Sequence, residues 1–203
     1  MNSLYLRYKS IAVFHKTAAE LAPLAELIVC ADVARRVELA ACVFRAAAER
    51  GCDCTGEWIK SIVMSDDNVF SRAAARGERV SDRLKAQVKS ELLTFKQMSL
   101  IKPDDFITYE SRDCFPKFGF GGFSVGYEKL LSFYAVNGCG RIAAGNAFVL
   151  RDGALVAAEC ENVRLSDVKD YAEEKAEIVK NTENFIAGLP AFHTLLYGDR
   201  GTG

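Results

Sequence analysis

The stretch Leu195-Leu196-Tyr197-Gly198-Asp199-Arg200-Gly201-Thr202-Gly203 sets an apolar run directly before a glycine-spaced loop. A phosphate-binding loop is written G-x-x-x-x-G-K-[ST]. Gly198 to Gly203 supply its first six positions. Glycines let such a backbone turn with its N–H groups facing an anion, and a following helix adds its positive N-terminal end. The lysine reaches the terminal phosphates and the hydroxyl binds magnesium. Both would fall at the two positions after Gly203. The glycine spacing alone fits equally well a strand followed by a loose tail. The apolar run before it is the context that favours the loop.

Working outward, Phe192 to Tyr197 reads as a strand, and its consecutive apolar residues suit one covered on both faces. Upstream, a helix begins at about Tyr171. Its expected buried stripe is Ile178, Thr182, Phe185 and Ile186, with Val179 at the edge, and Gly188 followed by Pro190 ends it. The Asp152-Gly153 pair inside "NAFVLRDGALVAA" predicts a β-hairpin. Tyr127 to Val136 predicts a short helix before Asn137-Gly138. The glycines between Gly119 and Gly126 predict a mobile surface loop whose phenylalanines could form a docking surface. From Leu4 to about Leu100 the pattern is helical, with a stop at Gly51, a helix over Glu57 to Met64, and a stripe at Leu84, Val88, Leu92, Phe95 and Met98 within Ser81 to Met98.

Four motifs in order carry a family resemblance. They are the hairpin, Arg164-Leu165-Ser166-Asp167-Val168, then Asn181-Thr182 with Phe185, Gly188 and Pro190, then Leu195 to Gly203. Together the segment from Gly138 to Gly203 is similar to a bacterial family of uncharacterised AAA+-type ATP-binding proteins. That family has a hairpin, an "RLSDL-x-GY" loop, an "NT-x-x-F-x-x-G-x-P" helix end and "NVLLYG-x-RGTGKSS". Asp170 stands where the family usually has glycine, and Phe192-His193-Thr194 replaces Asn-Asn-Val. The resemblance implies ATP with Mg2+ as the cofactors of the parent protein. Gly198, Gly201, Thr202 and Gly203 would give backbone contacts to phosphate, with Asp199 and Arg200 as passengers in the same partial Walker A loop. It also implies an adenine-side loop at Val168, Lys169, Asp170 and Tyr171. The catalytic lysine and the acidic and sensor residues would lie downstream. The chain is therefore expected to be an N-terminal fragment that binds ATP weakly or not at all and does not hydrolyse it, with no catalytic residue of its own.

Composition narrows the classes. The 203 residues are 50% hydrophobic and 26% charged with a formal net charge of -1, ordinary for a folded domain and without the excess charge that draws a protein to nucleic acid or anionic membrane. No apolar run is long enough for a membrane span, no signal peptide opens the chain, and a cytoplasmic location is the default. Seven cysteines, an odd number, read as reduced thiols, with Cys30 and Cys42 packed as small hydrophobes. Cys52 and Cys54 lack the second pair that a metal site wants and read as a turn between helices. No metal ligands are expected at Cys114, Cys139 or Cys160. His193, without a nucleophile partner, reads as a core or strand histidine. Arg35-Arg36 and the arginines from Arg72 to Arg83 interleave with acids and read as solvent-facing.

The expected fold class is α+β. Residues 1-104 form a helical region, 105-160 a mixed segment with the hairpin, and 161-203 the first helix and strand of an incomplete α/β P-loop (AAA+) domain. The unpartnered strand should pack poorly, or pair with the hairpin or another copy. A second function class is a partner-binding helical module, recognisable by a concave apolar groove on the helices. Protein partners or self-association would then use the N-terminal helices or the orphan strand.

Overall fold

Good helix formers dominate the first hundred positions, and the computed structural model folds them into seven α-helices. It describes residues 2–106, 119, 121–145, 147–151, 153–158 and 164–198. The helices are α1 (Asn2–Lys9), α2 (His15–Glu20), α3 (Ala22–Val29), α4 (Val33–Ala48), α5 (Thr55–Met64), α6 (Val69–Ala75) and α7 (Asp82–Ser99). After the single-turn helix Pro103–Phe106 come α8 (Tyr127–Asn137), a second such turn at Gly140–Ala144, strands β1 (Phe148–Arg151) and β2 (Ala154–Ala157), and α9 (Ala172–Ile186). The chain divides into two compact units, Met1–Ala158 and Glu159–Gly203. The protein is mostly helical. Its described sheet is one antiparallel hairpin, with Phe148 opposite Ala157 and Arg151 opposite Ala154, and Gly153 between the strands takes φ +76°.

Local signals set the helix ends. Asp32, Asn68 and Ser81 cap α4, α6 and α7, each side chain accepting a first-turn N–H. Asn68 and Ser71 complete a reciprocal box. Gly51 sits at φ +64°, where a side chain would be strained, and releases the chain from α4.

The core of the first unit is aromatic. Phe14, Trp58, Phe70, Phe95 and Tyr134 are fully buried among aliphatic side chains of α3, α5 and α7. Phe14 meets Phe95 edge-on at 5.6 Å, and Phe70 meets Tyr134 edge-on at 5.9 Å. Such pairs add about 0.5–1.5 kcal/mol beyond the area buried. The Tyr134 hydroxyl donates to the Val63 carbonyl. Burial pushes its phenol well above the ordinary range, and Asp66 and Cys139 push it in the same direction.

Helix α2 has no cap of its own. Two buried acids from distant helices and turns supply one. Glu91 of α7 accepts N–H bonds from Ala12 and Val13 through Oε1 and from Phe14 through Oε2, at 2.9 to 3.0 Å, and Gln87 donates to Oε1 at 2.8 Å. Asp66 accepts from the Thr17 amide at 3.0 Å and from the Thr17 hydroxyl, and Asn68 donates to its other oxygen. Both acids are almost completely buried, so each must be fully hydrogen-bonded.

The glycine-rich segment after residue 119 departs from expectation. It is no mobile surface loop. Phe123 and Val125 are buried in the core, and Phe95 packs edge-on against Phe123. The Phe123 amide donates to Ser99 Oγ at 2.8 Å. Glycine is required because backbone lies on backbone: a Cβ on Gly56 would collide with the Gly121 carbonyl and sit 2.7 Å from the Gly122 carbonyl carbon. Cys54 caps α5 through its sulfur, which accepts from the Glu57 amide at 3.4 Å. Cys42 is exposed rather than packed in an apolar face, whereas Cys30 joins the small Leu27–Leu39–Ala40 cluster.

The second unit corrects two more expectations. α9 forms, but none of its residues is buried, and of the expected stripe Ile178 is half-buried and Thr182 exposed, while Phe185 and Ile186 are more than three-quarters exposed. Residues 191–198 form no strand, and Leu195, Leu196 and Tyr197 stand in solvent. His193 is likewise exposed and outside any strand. An apolar strand sequence without neighbouring strands has no partner for its ladder groups and no surface to bury its side chains on.

Two substitutions probe the first unit. Glu91→Ala leaves three N–H groups, those of Val13 and Phe14 buried, without their acceptor and is expected to lower unfolding free energy by about 3–5 kcal/mol, read as a fall in the urea midpoint at unchanged slope. Gly56→Ala forces α5 away from the Gly121 backbone and is expected to cost about 1–3 kcal/mol or more, while Gly77→Ala, at φ +67° with open space around it, costs about 1 kcal/mol.

Candidate functional site

The candidate nucleotide residues fall in the second unit. Asp199, Arg200, Gly201, Thr202 and Gly203 lie outside the described residues, and Gly198 is exposed at the end of the segment that returns from α9. The upstream parts of the candidate site are built as follows.

Asp167 closes the first turn: its Oδ2 accepts from the Arg164 amide at 2.9 Å, and its own amide donates to the Arg164 carbonyl at 2.8 Å. Asp170 and Tyr171 then take left-handed conformations, φ +65° and +55°. Aspartate tolerates that region better than most side chains, because its short polar group bonds locally. The position where the resembling family carries glycine is therefore one whose backbone asks for positive φ. Tyr171 is the residue from which α9 starts. Lys175 Nζ donates to the Val168 carbonyl at 2.7 Å and ties the turn to the first turn of α9. Val168, Lys169, Asp170 and Tyr171 thus form one continuous bend at the N-terminal end of α9.

The far end of α9 explains the Asn-Thr, Gly and Pro of the third motif. The Gly188 amide donates to the Phe185 carbonyl and the Leu189 amide to the Asn184 carbonyl, with Gly188 at φ +70°. That is a Schellman closure, with Pro190 following. Asn181 holds the chain as it returns. Its Oδ1 accepts from the Phe192 amide at 2.9 Å, and its Nδ2 donates to the Phe192 carbonyl at 2.8 Å and to Thr194 Oγ1 at 3.0 Å. The carboxamide imitates one residue of a neighbouring strand. A pocket of about 710 Å3 lies between α9 and the returning segment, bordered by Glu174, Glu177, Ile178, Asn181, Phe192 and Leu195.

Two other concavities lie on the helical unit. The first, about 610 Å3, runs between α7 and the segment Phe123–Lys129. Its floor is Leu92, Phe123 and Val125, all buried, and Leu93 stands 57% exposed on its wall. Lys89, Lys96 and Lys129 rim it. Lys85 pairs with Glu128 at 3.7 Å and, like Lys89, sits over the Tyr127 ring, at 5.1 and 5.4 Å. Burial pushes the Tyr127 phenol above its ordinary range, and Glu128 adds to this. The second concavity, about 480 Å3, is polar and is lined by Lys16, Glu20, Asp66, Asp67 and Arg141. Most of its charges are satisfied: Asp67 bonds Lys16 at 3.2 Å and Arg72 at 2.9 Å, and Arg50 bonds Glu20 at 2.8 Å. Burial raises the Asp67 carboxyl, but the two cations outweigh it and hold it below the usual range. Its contribution is thus present at neutral pH and lost as pH falls through that depressed value. At 39% exposure the contribution is small.

Among the described residues, no three His, Cys, Asp or Glu side chains converge as a metal site, and no helix is long and apolar enough to cross a membrane. Arg35 pairs with Glu26 and Glu38, and Arg76 with Glu78, all at the surface. The lysine groove had no sequence signal of its own. Its lysines are scattered over α7 and α8, and the signs of a docking module in the sequence are a concave apolar surface and the phenylalanines of the Gly119–Gly126 stretch, of which Phe123 is buried in the floor.

A model of the family described as "Protein of unknown function (DUF815)" matches residues 145–203. No curated protein and no solved structure matches the chain. The matched stretch holds the hairpin, the bend at Val168–Tyr171, α9 and the returning segment.

Asn181→Ala removes the strand mimic. The Phe192 amide is then expected to lose its protection against hydrogen exchange, by about fivefold for loss of a bond worth near 1 kcal/mol, while the Leu189 amide, held by the Schellman closure, keeps its own. Amide exchange followed by NMR or mass spectrometry distinguishes the two.

Proposed function

We propose that the second unit is the approach to a phosphate-binding loop, in which Gly198, Gly201, Thr202 and Gly203 offer backbone N–H groups to the phosphates of ATP. The observation that carries this reading is the segment 191–198. It is largely apolar, outside any strand among the described residues and exposed, and it is clasped to α9 through Asn181. It leads straight into Gly198. A strand of that composition is made for the middle of a parallel sheet, and a glycine loop at its carboxyl end is where such sheets bind phosphates. The uncovered α9 supports the same reading, since a helix beside such a strand buries its apolar side on the sheet. On this reading the bend at Val168–Tyr171 lies near the base.

Nucleotide chemistry needs more than this chain carries. A lysine and a serine or threonine belong directly after Gly203 in the reading frame, and acidic residues belong further on. Bound Mg2+ would draw charge from the transferring phosphate. The 203 residues would supply only part of the cradle. The polypeptide translated past Gly203 is expected to bind a fluorescent ATP analogue with magnesium at micromolar concentration, and the 203-residue chain at least about a hundredfold more weakly, with no turnover. A reading frame without the lysine–hydroxyl pair, or equal binding by both chains, overturns the proposal.

A second reading concerns the helical unit, as a docking module for a protein partner. Its support is the groove between α7 and Phe123–Lys129, which joins an apolar floor to a charged rim. The two readings involve different units and are compatible.

A further inference from the structure

We propose that the groove between α7 and the Phe123–Lys129 segment docks an acidic amphipathic helix of a partner protein. The proposal rests on the docking-module reading and is independent of the nucleotide reading. Three observations carry it.

The first is charge. Lys89, Lys96 and Lys129 line the rim, and none makes an ion pair among the described residues. Glu128, the one acid among the described residues of the rim, is already opposite Lys85. The cleft is therefore positive over a low-dielectric floor, which concentrates its field. In a protein with a net charge of -1, this local excess is a property of the groove and not of the whole surface.

The second is shape. Lys89 and Lys96 are two turns apart on α7, about 10 Å along its axis. A helix laid in the groove would present apolar residues at i, i+3, i+4 and i+7 over the same two turns and carry its acids on the flanks.

The third is the kind of apolar surface. Leu93, aliphatic and 57% exposed, is the side chain left for a partner to cover, whereas Phe123 and Tyr127 are buried. A single-stranded nucleic acid would need open ring faces for stacking, and these two rings are closed to it. The lysine–leucine combination suits carboxylates beside aliphatic side chains.

The test uses the 203-residue chain and a fluorescein-labelled peptide of about 18 residues, leucine on one helical face and glutamate on the rest. Fluorescence anisotropy is expected to show binding that weakens as salt rises. The triple variant K89E/K96E/K129E should weaken it by about tenfold or more, and Leu93→Asp should do the same. All four substituted positions are exposed, and unchanged thermal melting by circular dichroism verifies the fold. A matching lysine–leucine peptide should bind the triple variant and not the parent chain. Equal binding of a scrambled acidic peptide overturns the amphipathic occupant. Preference of the parent chain for the lysine–leucine peptide overturns the acidic partner but leaves a docking groove. Binding of neither peptide overturns this proposal and the docking reading together, while nucleotide binding by the longer polypeptide is untouched. An oligonucleotide that binds through the lysines without regard to Leu93 overturns it in favour of nucleic acid.

Discussion

The first unit depends on two acids placed where sequence offers no cap. Glu91 gathers three consecutive amides, from Ala12 to Phe14, and Asp66 holds Thr17. Each joins segments dozens of residues apart. Burying a carboxyl group is costly unless its hydrogen-bonding capacity is filled, so these contacts form together with the surrounding core or not at all. They fix where the chain turns from α1 into α2, and so where Phe14 enters the aromatic cluster with Phe70 and Phe95. The same α7 that provides Glu91 and Phe95 on its buried side shows Lys89, Leu93 and Lys96 on the other.

The glycine-rich segment closes this core from the opposite side. Gly121 lies on Gly56 at a distance that excludes side chains, and the approach carries Phe123 and Val125 inward. The groove is a by-product of that seating, since the segment that fills the core with Phe123 leaves a trough beside α7. A local rule, that clustered glycines mean a free loop, gave way to a packing requirement for bare backbone.

The second unit shows the converse balance. Local bonds order its described residues: the Arg164–Asp167 turn, the Lys175 tie to Val168, the Schellman closure at Gly188 and the Asn181 clasp. Most of its described apolar groups are not covered. Phe185, Ile186, Leu195, Leu196 and Tyr197 all face solvent. Hydrogen bonds within a short segment need only neighbours in sequence. Burial of an apolar strand needs other strands. The motifs at Arg164–Val168, Asn181–Thr182, Gly188 and Pro190 therefore acquire definite local roles, although the buried stripe expected for α9 does not form.

Periodicity and capping residues by themselves determined α3, α4, α5, α7, α8 and α9, the hairpin of β1 and β2 and the breaks at Gly51 and Gly188, because these depend on groups within a few positions of one another; the short α6 was not singled out. Glycine spacing and the apolar run before Gly198 carried the nucleotide expectation in the same local way. Tertiary structure alone decided that Phe123 is core, that Cys42 and His193 are exposed, that Glu91 caps a helix more than seventy residues away, and that three scattered lysines share one groove. Those outcomes rest on which surfaces meet. Chain contacts across long sequence separations are chosen by shape and by the need to satisfy buried polar groups, and no short window of residues contains that information.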